Sequence, residues 1–173
     1  MHAVQHTAIF THSHLHRTTR YLFWSDWGIA AIERSTLAGG DRKVLVNSNL
    51  VWPNGITIDY ANKRLYWIDA YHDTISSVDY DGGQRQKTFE DTSLGVSQFH
   101  GFDLEIISNN LYWTDWNQNS IYGLTQSGTI IRTIPIQTSR TSQGVTGVVA
   151  VHSSRQPTSI YNNLTFVGIF IGC

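Results

Sequence analysis

Leu65-Tyr66-Trp67-Ile68-Asp69 decides the fold, because the chain carries this pattern three times. Leu22-Phe23-Trp24-Ser25-Asp26 precedes it and Leu111-Tyr112-Trp113-Thr114-Asp115 follows, with the Trp residues 43 and then 46 positions apart. Other marks recur at the same offset. Gly55, Gly101 and Gly147 each open a short alternating run, and Gly39-Gly40, Gly82-Gly83 and Ser127-Gly128 each sit about 15 residues after a motif. Asp81-Gly82 reads as a hairpin turn, since Gly accepts a positive φ without steric cost.

Between these marks lie segments of four to seven residues rich in Ile, Val, Tyr and Trp, the length and composition of strands. From Gly55 the period predicts strands at 56–60, 64–68, 74–79 and 85–89. From Gly101 it predicts 102–106, 111–114, 119–124 and 129–134. Three more fall at 21–24, 29–34 and 42–46, and a last one at 147–151. Four strands in a period of about 40–50 residues is the signature of a propeller blade. The fold class is therefore all-β: about three four-stranded antiparallel blades of an incomplete β-propeller.

A blade has two faces, and both need covering by neighbours. Large rings at a fixed strand position fill that gap, so Trp24, Trp67 and Trp113, with Tyr66 and Tyr112, are assigned to structure. Asp26, Asp69 and Asp115 would be costly to bury alone and are expected to accept backbone hydrogen bonds at the strand ends. Their identical place in each repeat argues against a metal-binding cluster, and no metal or cofactor is expected.

Composition narrows the function. Charged residues make up 14 % and aromatic ones 12 %, with a net charge of −1. Nothing here favours nucleic acid or an anionic membrane surface. The single cysteine, Cys173, permits no intrachain disulfide and hints at a Cys-rich module once joined there. No apolar run matches a secretory signal, and the apolar stretch 164–173 is half the length of a membrane span. No nucleophile–base pair, phosphate-binding Gly loop or two-His metal motif is present.

The three motifs, together with Ile32-Glu33-Arg34, Leu37-Ala38-Gly39-Gly40-Asp41-Arg42-Lys43-Val44-Leu45, Trp52-Pro53-Asn54-Gly55-Ile56-Thr57-Ile58-Asp59 and Val151-His152-Ser153-Ser154-Arg155-Gln156-Pro157, resemble the YWTD propellers of the low-density lipoprotein receptor and its related proteins. The resemblance covers about residues 20–157 and implies about three blades of a six-bladed ring. It divides the chain into a disordered His-rich tail at 1–20, a partial YWTD propeller at 21–157 and an apolar non-family tail at 158–173. It further implies a piece of a single-pass receptor of the cell surface and endosome, without a visible signal peptide or span of its own. A gene fragment, an alternative transcript or an incomplete gene model would each give such a chain.

In such propellers the loops joining strand 4 to strand 1 and strand 2 to strand 3 share one rim, which the resemblance implies is the protein-binding face. Trp27, Tyr71, His72 and Trp116 follow the motifs, and Trp52, Asn54, Phe99 and His100 lie in the other loops, so all are placed there. Exposed Trp and Tyr around a polar centre is the usual make-up of an interaction hot spot; packing between blades is the competing role for these rings. The family's acid-triggered ligand release makes His72 and His100 candidates for titrating groups. His12, His14 and His16 have a spacing that could hold a metal on a strand, set against a role as plain tail residues. Asn163-Leu164-Thr165 is a glycosylation sequon, used only on entry to the secretory pathway.

Three functions compete. The first is a non-catalytic, protein-binding segment of a lipoprotein-receptor-related endocytic or signalling receptor, taking extracellular protein ligands. The second is a truncated or decoy product with no binding of its own. The third is a metal-dependent hydrolase, which calcium-dependent esterase or lactonase turnover would reveal. Three blades leave two blade faces uncovered, so the isolated chain should self-associate rather than behave as a monomer. Light scattering is expected to report oligomers; a stable monomer with a cooperative melt would contradict this.

Overall fold

In a computed structural model the described residues are 10–16, 21–91, 100–136, 145–151 and 166–171, and all their regular elements are strands. The first sheet comprises β1 (Phe10–His16), β2 (Tyr21–Asp26), β3 (Ala31–Thr36) and β4 (Lys43–Val46). The second holds β5 (Pro53–Asp59), β6 (Arg64–Asp69), β7 (Thr74–Asp79) and β8 (Gln86–Glu90). The third holds β9 (Gly101–Ile107), β10 (Asn110–Asp115), β11 (Ser120–Thr125) and β12 (Ile130–Pro135). Each is an antiparallel meander in chain order, and β13 (Val145–Val151) pairs with β14 (Phe166–Ile171) in a two-stranded fourth sheet. The first strands β1, β5, β9 and β13 lie next to one another, so the sheets are arrayed as blades around a common inner edge.

The blade architecture agrees with the sequence reading, but its two ends do not. Phe10–His16 was assigned to a disordered tail; it runs antiparallel to β2, with His14 opposite Phe23 and His16 opposite Tyr21, and supplies the inner strand of the first blade. Its sequence, Phe-Thr-His-Ser-His-Leu-His, has neither polar–apolar alternation nor a family mark, which hides the strand from pattern reading. The apolar tail likewise contributes β14, placing Phe166 opposite Val151.

Alternation along β6 sorts the motif between two cores. Leu65 and Trp67 join Phe23, Ile32, Ile56 and Val78 in the cluster between the first and second blades. Tyr66, Ile68 and Ile75 join Leu104, Leu111 and Trp113 in the cluster between the second and third. Trp67 is fully buried, and truncating a core Trp to Ala costs about 3–5 kcal/mol. Arg85 stacks its guanidinium 5.2 Å from the Trp67 ring centroid and donates to the Ser48 and Asn49 carbonyls at 2.6 and 2.9 Å, tying the second blade to the first. In the first blade the matching Arg42 lies over Trp24 and grips the buried Glu33, which also accepts from Trp24 Nε1 at 3.1 Å.

Two glycines mark where blades meet. Gly82 turns the β7–β8 hairpin at φ +86, and a Cβ there would stand 2.9 Å from the Leu45 carbonyl of the first blade. Gly55 has an ordinary φ, yet a Cβ on it would fall 2.5 Å from Asp103 Cα and from Leu104 N. The inner strands β5 and β9 thus approach backbone to backbone, which only Gly allows. Gly55→Ala is expected to force these strands apart and cost about 2 kcal/mol or more, read as a lowered thermal or denaturant midpoint. Ala at the open turn residue Gly40, whose nearest neighbour would be Thr36 Oγ1 at 3.4 Å, should cost far less.

Candidate functional site

The aspartate that ends each second strand organises the loops of one rim. Asp69 is buried at the end of β6, and its Oδ2 accepts from Val51 N at 2.9 Å while Oδ1 accepts from Trp52 N at 3.2 Å. The same carboxylate reaches the following turn, taking Tyr71 N at 3.0 Å and His72 N at 3.3 Å, with His72 Nδ1 3.0 Å from Oδ2. One side chain therefore holds both the loop entering the blade and the turn at its top. In the third blade Asp115 takes His100 N and Gln118 N, each at 2.9 Å. In the first, Asp26 takes Gly28 N at 2.7 Å. Each turn ends on a left-handed residue, at Ala30, Asp73 and Asn119, with φ between 47° and 53°.

The carboxylates titrate differently despite their shared geometry. Burial pushes the Asp69 carboxyl up, but the His72 ring and the Val51, Trp52 and Tyr71 amides outweigh it and hold the group below the usual carboxylate range. At Asp115 burial prevails. The His100, Gln118 and Asn117 amides offset only part of it, and the carboxyl stays above its ordinary value. Each carboxylate is taken up by backbone amides of its own blade, and among the described residues no group of three or more His, Cys, Asp or Glu is placed to hold a metal.

Above these clamps sit the rings placed on the rim. Trp27, Trp52, Tyr71 and Trp116 are between 40 % and 57 % exposed. Trp52 meets Tyr71 edge-on at 5.4 Å and His100 at 6.2 Å, and Tyr71 meets His72 at 5.2 Å. With Phe102 and Ala70, the residues Trp27, Trp52, Asn54, His100 and Trp116 line a concave pocket of about 430 Å³. Pockets of a few hundred Å³ with apolar walls and few polar groups are the usual form of a recognition site. Tyr71 and His72 stand beside it, exposed on the adjoining turn.

Asn54 departs from the sequence reading. It lines the pocket floor but is only 1 % exposed, because Oδ1 accepts from Trp27 Nε1 at 3.0 Å and Nδ2 donates to the Gly101 carbonyl at 2.7 Å. Its own carbonyl accepts from Ser25 Oγ at 2.9 Å. It is therefore a staple across three blades that sets the Trp27 ring, not a free contact. Motif reading missed two lining residues, Ala70 and Phe102; Phe102 sits inside β9 and leans on Trp116, ring centroids 5.7 Å apart. Its place directly after Gly101, at the head of an inner strand, was the available signal. Phe99 and Asn163 lie outside the described residues, as do 1–9 and 17–20 of the first tail and 158–165 and 172–173 of the second.

Comparison with known proteins accords with this architecture. The Low-density lipoprotein receptor repeat class B matches residues 20–60. The vitellogenin receptor of Solenopsis invicta is 40 % identical over 101 residues, which is 58 % of this chain and 5 % of the receptor. The human low-density lipoprotein receptor-related protein 5-like protein is 35 % identical over 108 residues, 62 % of this chain and 41 % of that protein. The chain thus matches a small part of one relative and under half of the other. Virginiamycin B lyase of Staphylococcus aureus superposes with a TM-score of 0.66 at 19 % identity, over 85 % of this chain and 47 % of the lyase, a likeness of fold alone.

Asp69→Asn keeps one acceptor and sets an NH2 group against Val51 N or His72 Nδ1. It is expected to cost about 1–3 kcal/mol at neutral pH. A depressed carboxyl gives stability that is present above its unfolded pKa and lost as the pH falls through its folded one. The variant's stability should therefore fall less steeply below the ordinary carboxylate range, as thermal melts across acid pH would show.

Proposed function

We propose that this chain of low-density lipoprotein receptor class B repeats is a non-catalytic binding segment, taking an extracellular protein ligand on the rim formed by Trp27, Trp52, Tyr71, His72, His100 and Trp116. The observation that carries the reading is the pocket of about 430 Å³ walled by half-exposed indoles, at the one end of the blades where the Asp clamps fix both sets of loops. Exposed Trp rings held by a rigid scaffold bury large area on binding at little entropic cost. Burial of Asn54 strengthens the reading, because its bond to Trp27 Nε1 pre-sets that ring before a ligand arrives.

The relatives favour a receptor over an enzyme, since one is named a vitellogenin receptor and the other a receptor-related protein. The parent of such a chain would work at the cell surface. Among the described residues no helix is long and apolar enough to cross a membrane. Association between copies belongs to the same reading: the outer strand β12 leaves Ile130, Ile131 and Ile134 exposed.

The test uses purified vitellogenin and low-density lipoprotein as probes over the immobilised full chain. Replacing Trp27, Trp52 and Trp116 together by Ser should weaken capture at least about tenfold, the effect of losing roughly 1.4 kcal/mol of contact. A Tyr60→Ser, Lys63→Glu variant at the opposite rim should bind as the parent does. Equal capture by both variants would remove the rim from the binding reading.

A further inference from the structure

We propose that Phe102 is a ligand contact of the rim, aimed there by a β-bulge that Asp103 and Thr114 hold in place. This rests on the rim-binding reading and adds to it one contact and two positioning residues. A break in alternation points to it. Leu104 faces the core between the second and third blades, and strict alternation would put Phe102 on the same face. Phe102 instead lines the rim pocket, half-buried, with Trp116 beside it.

The ladder gives the cause. Along the β9–β10 pair Gly101 stands opposite Asp115 and Leu104 opposite Trp113, so Phe102 and Asp103 together face the single residue Thr114. Two residues against one make a bulge, which bends the strand and re-aims a side chain. The second blade repeats the device, with Asn54 and Gly55 together facing Ile68. Asn54 is thus the counterpart of Phe102, and both line the pocket. The inner strands β1 and β13 also shift register near their heads, at Thr11 and Thr146.

The two described bulges differ in what they present. Asn54 commits both ends of its amide to Trp27 and Gly101. Phe102 presents a ring, and a partly exposed ring fixed in an apolar pocket makes a strong contact. Neighbours on both sides fix it. On one side Asn54 Nδ2 donates to the Gly101 carbonyl at 2.7 Å. On the other, a bulged amide lacks a ladder partner, and Asp103 N donates to Thr114 Oγ1 at 3.1 Å instead. The Asp103 carboxylate accepts from Leu104 N at 2.8 Å and from Val148 N of β13 at 2.9 Å. Gly55, at the matching point of β5, has no room for such an anchor, because a Cβ there would stand 2.5 Å from Asp103 Cα. The third blade therefore ties its bulge to the next sheet, and Phe102 is held between that tie and Asn54.

The test uses the immobilised full chain with vitellogenin and low-density lipoprotein as probes. Phe102→Ala should weaken capture at least about fivefold. Asp103→Ala and Thr114→Val should each weaken it too. Neither should add to the loss when combined with Phe102→Ala, because both act through that ring; losses that add would overturn the positioning role. Asp103→Asn keeps an acceptor for Val148 N and should bind more tightly than Asp103→Ala; equal or weaker binding would overturn the anchor. Indole N–H shifts give a readout that needs no probe. The Trp116 signal, which senses the Phe102 ring 5.7 Å away, should move in Asp103→Ala toward its place in Phe102→Ala, while that of the buried Trp67 stays. A Trp116 signal unmoved in Asp103→Ala would overturn the positioning role whatever the probes do. Undiminished capture by Phe102→Ala, where the variant lacking Trp27, Trp52 and Trp116 has lost it, overturns the contact and leaves the rim reading standing. Undiminished capture by both removes the rim reading and the contact together.

Discussion

Trp67 lies in one cluster with Phe23, Ile32 and Ile56, while Tyr66 and Ile68, its chain neighbours, lie in another with Leu104 and Trp113. A sheet that is apolar on both faces cannot bury either face by itself, so each blade depends on the next. This dependence accounts for the repeat more economically than any single contact does. The same strand position carries a large ring because it meets the same hollow in the preceding blade, as Trp67 does in the first and Trp113 in the second. It also accounts for Gly55, where packed inner strands come so close that a methyl group would strike the Asp103 backbone.

Once blades are stacked, their loops are forced together at two ends, and the Asp clamps turn that proximity into rigidity. A buried carboxylate needs donors, and the unpaired amides at a strand end need acceptors. Asp69 meets both needs by joining Val51 and Trp52 to Tyr71 and His72. The rings of those loops are then held in fixed relation before any partner arrives. Function at this rim follows from a structural economy repeated in each blade, with aromatic residues placed where the clamp holds them.

The three blades are not interchangeable, and the differences lie in partners, not in backbone. Asp69 has the His72 ring hydrogen-bonded to it, which with the amides outweighs burial, whereas at Asp115 burial prevails over the His100, Gln118 and Asn117 amides, so the two carboxyl groups depart in opposite directions from the ordinary value. Glu33 brings a buried charge into the first blade, satisfied by Arg42 and Trp24, at the place where the second blade has Ser76. The buried charge of Glu33 is tolerated because Arg42 and Trp24 satisfy it within its own blade.

The blade class, the place of every motif strand and the assignment of the Trp and Asp positions were legible in the sequence, since each rests on local pattern: alternation, turn glycines and a fixed period. The rim was legible as a set of loops. Its composition was not. Asn54 looked like a contact residue, yet it is buried by bonds to Trp27 and Gly101, residues 27 and 47 positions away. Phe102 was not singled out by any motif, yet it walls the pocket beside Trp116. Phe10–His16 carries no motif, and only the free edge of β2 makes it a strand. The sequence by itself determined a stack of two-faced blades, because burial periodicity is a property of each segment alone. Only the tertiary structure decided which rim residues stay exposed and how their charges combine, because those depend on contacts between blades that no local pattern encodes.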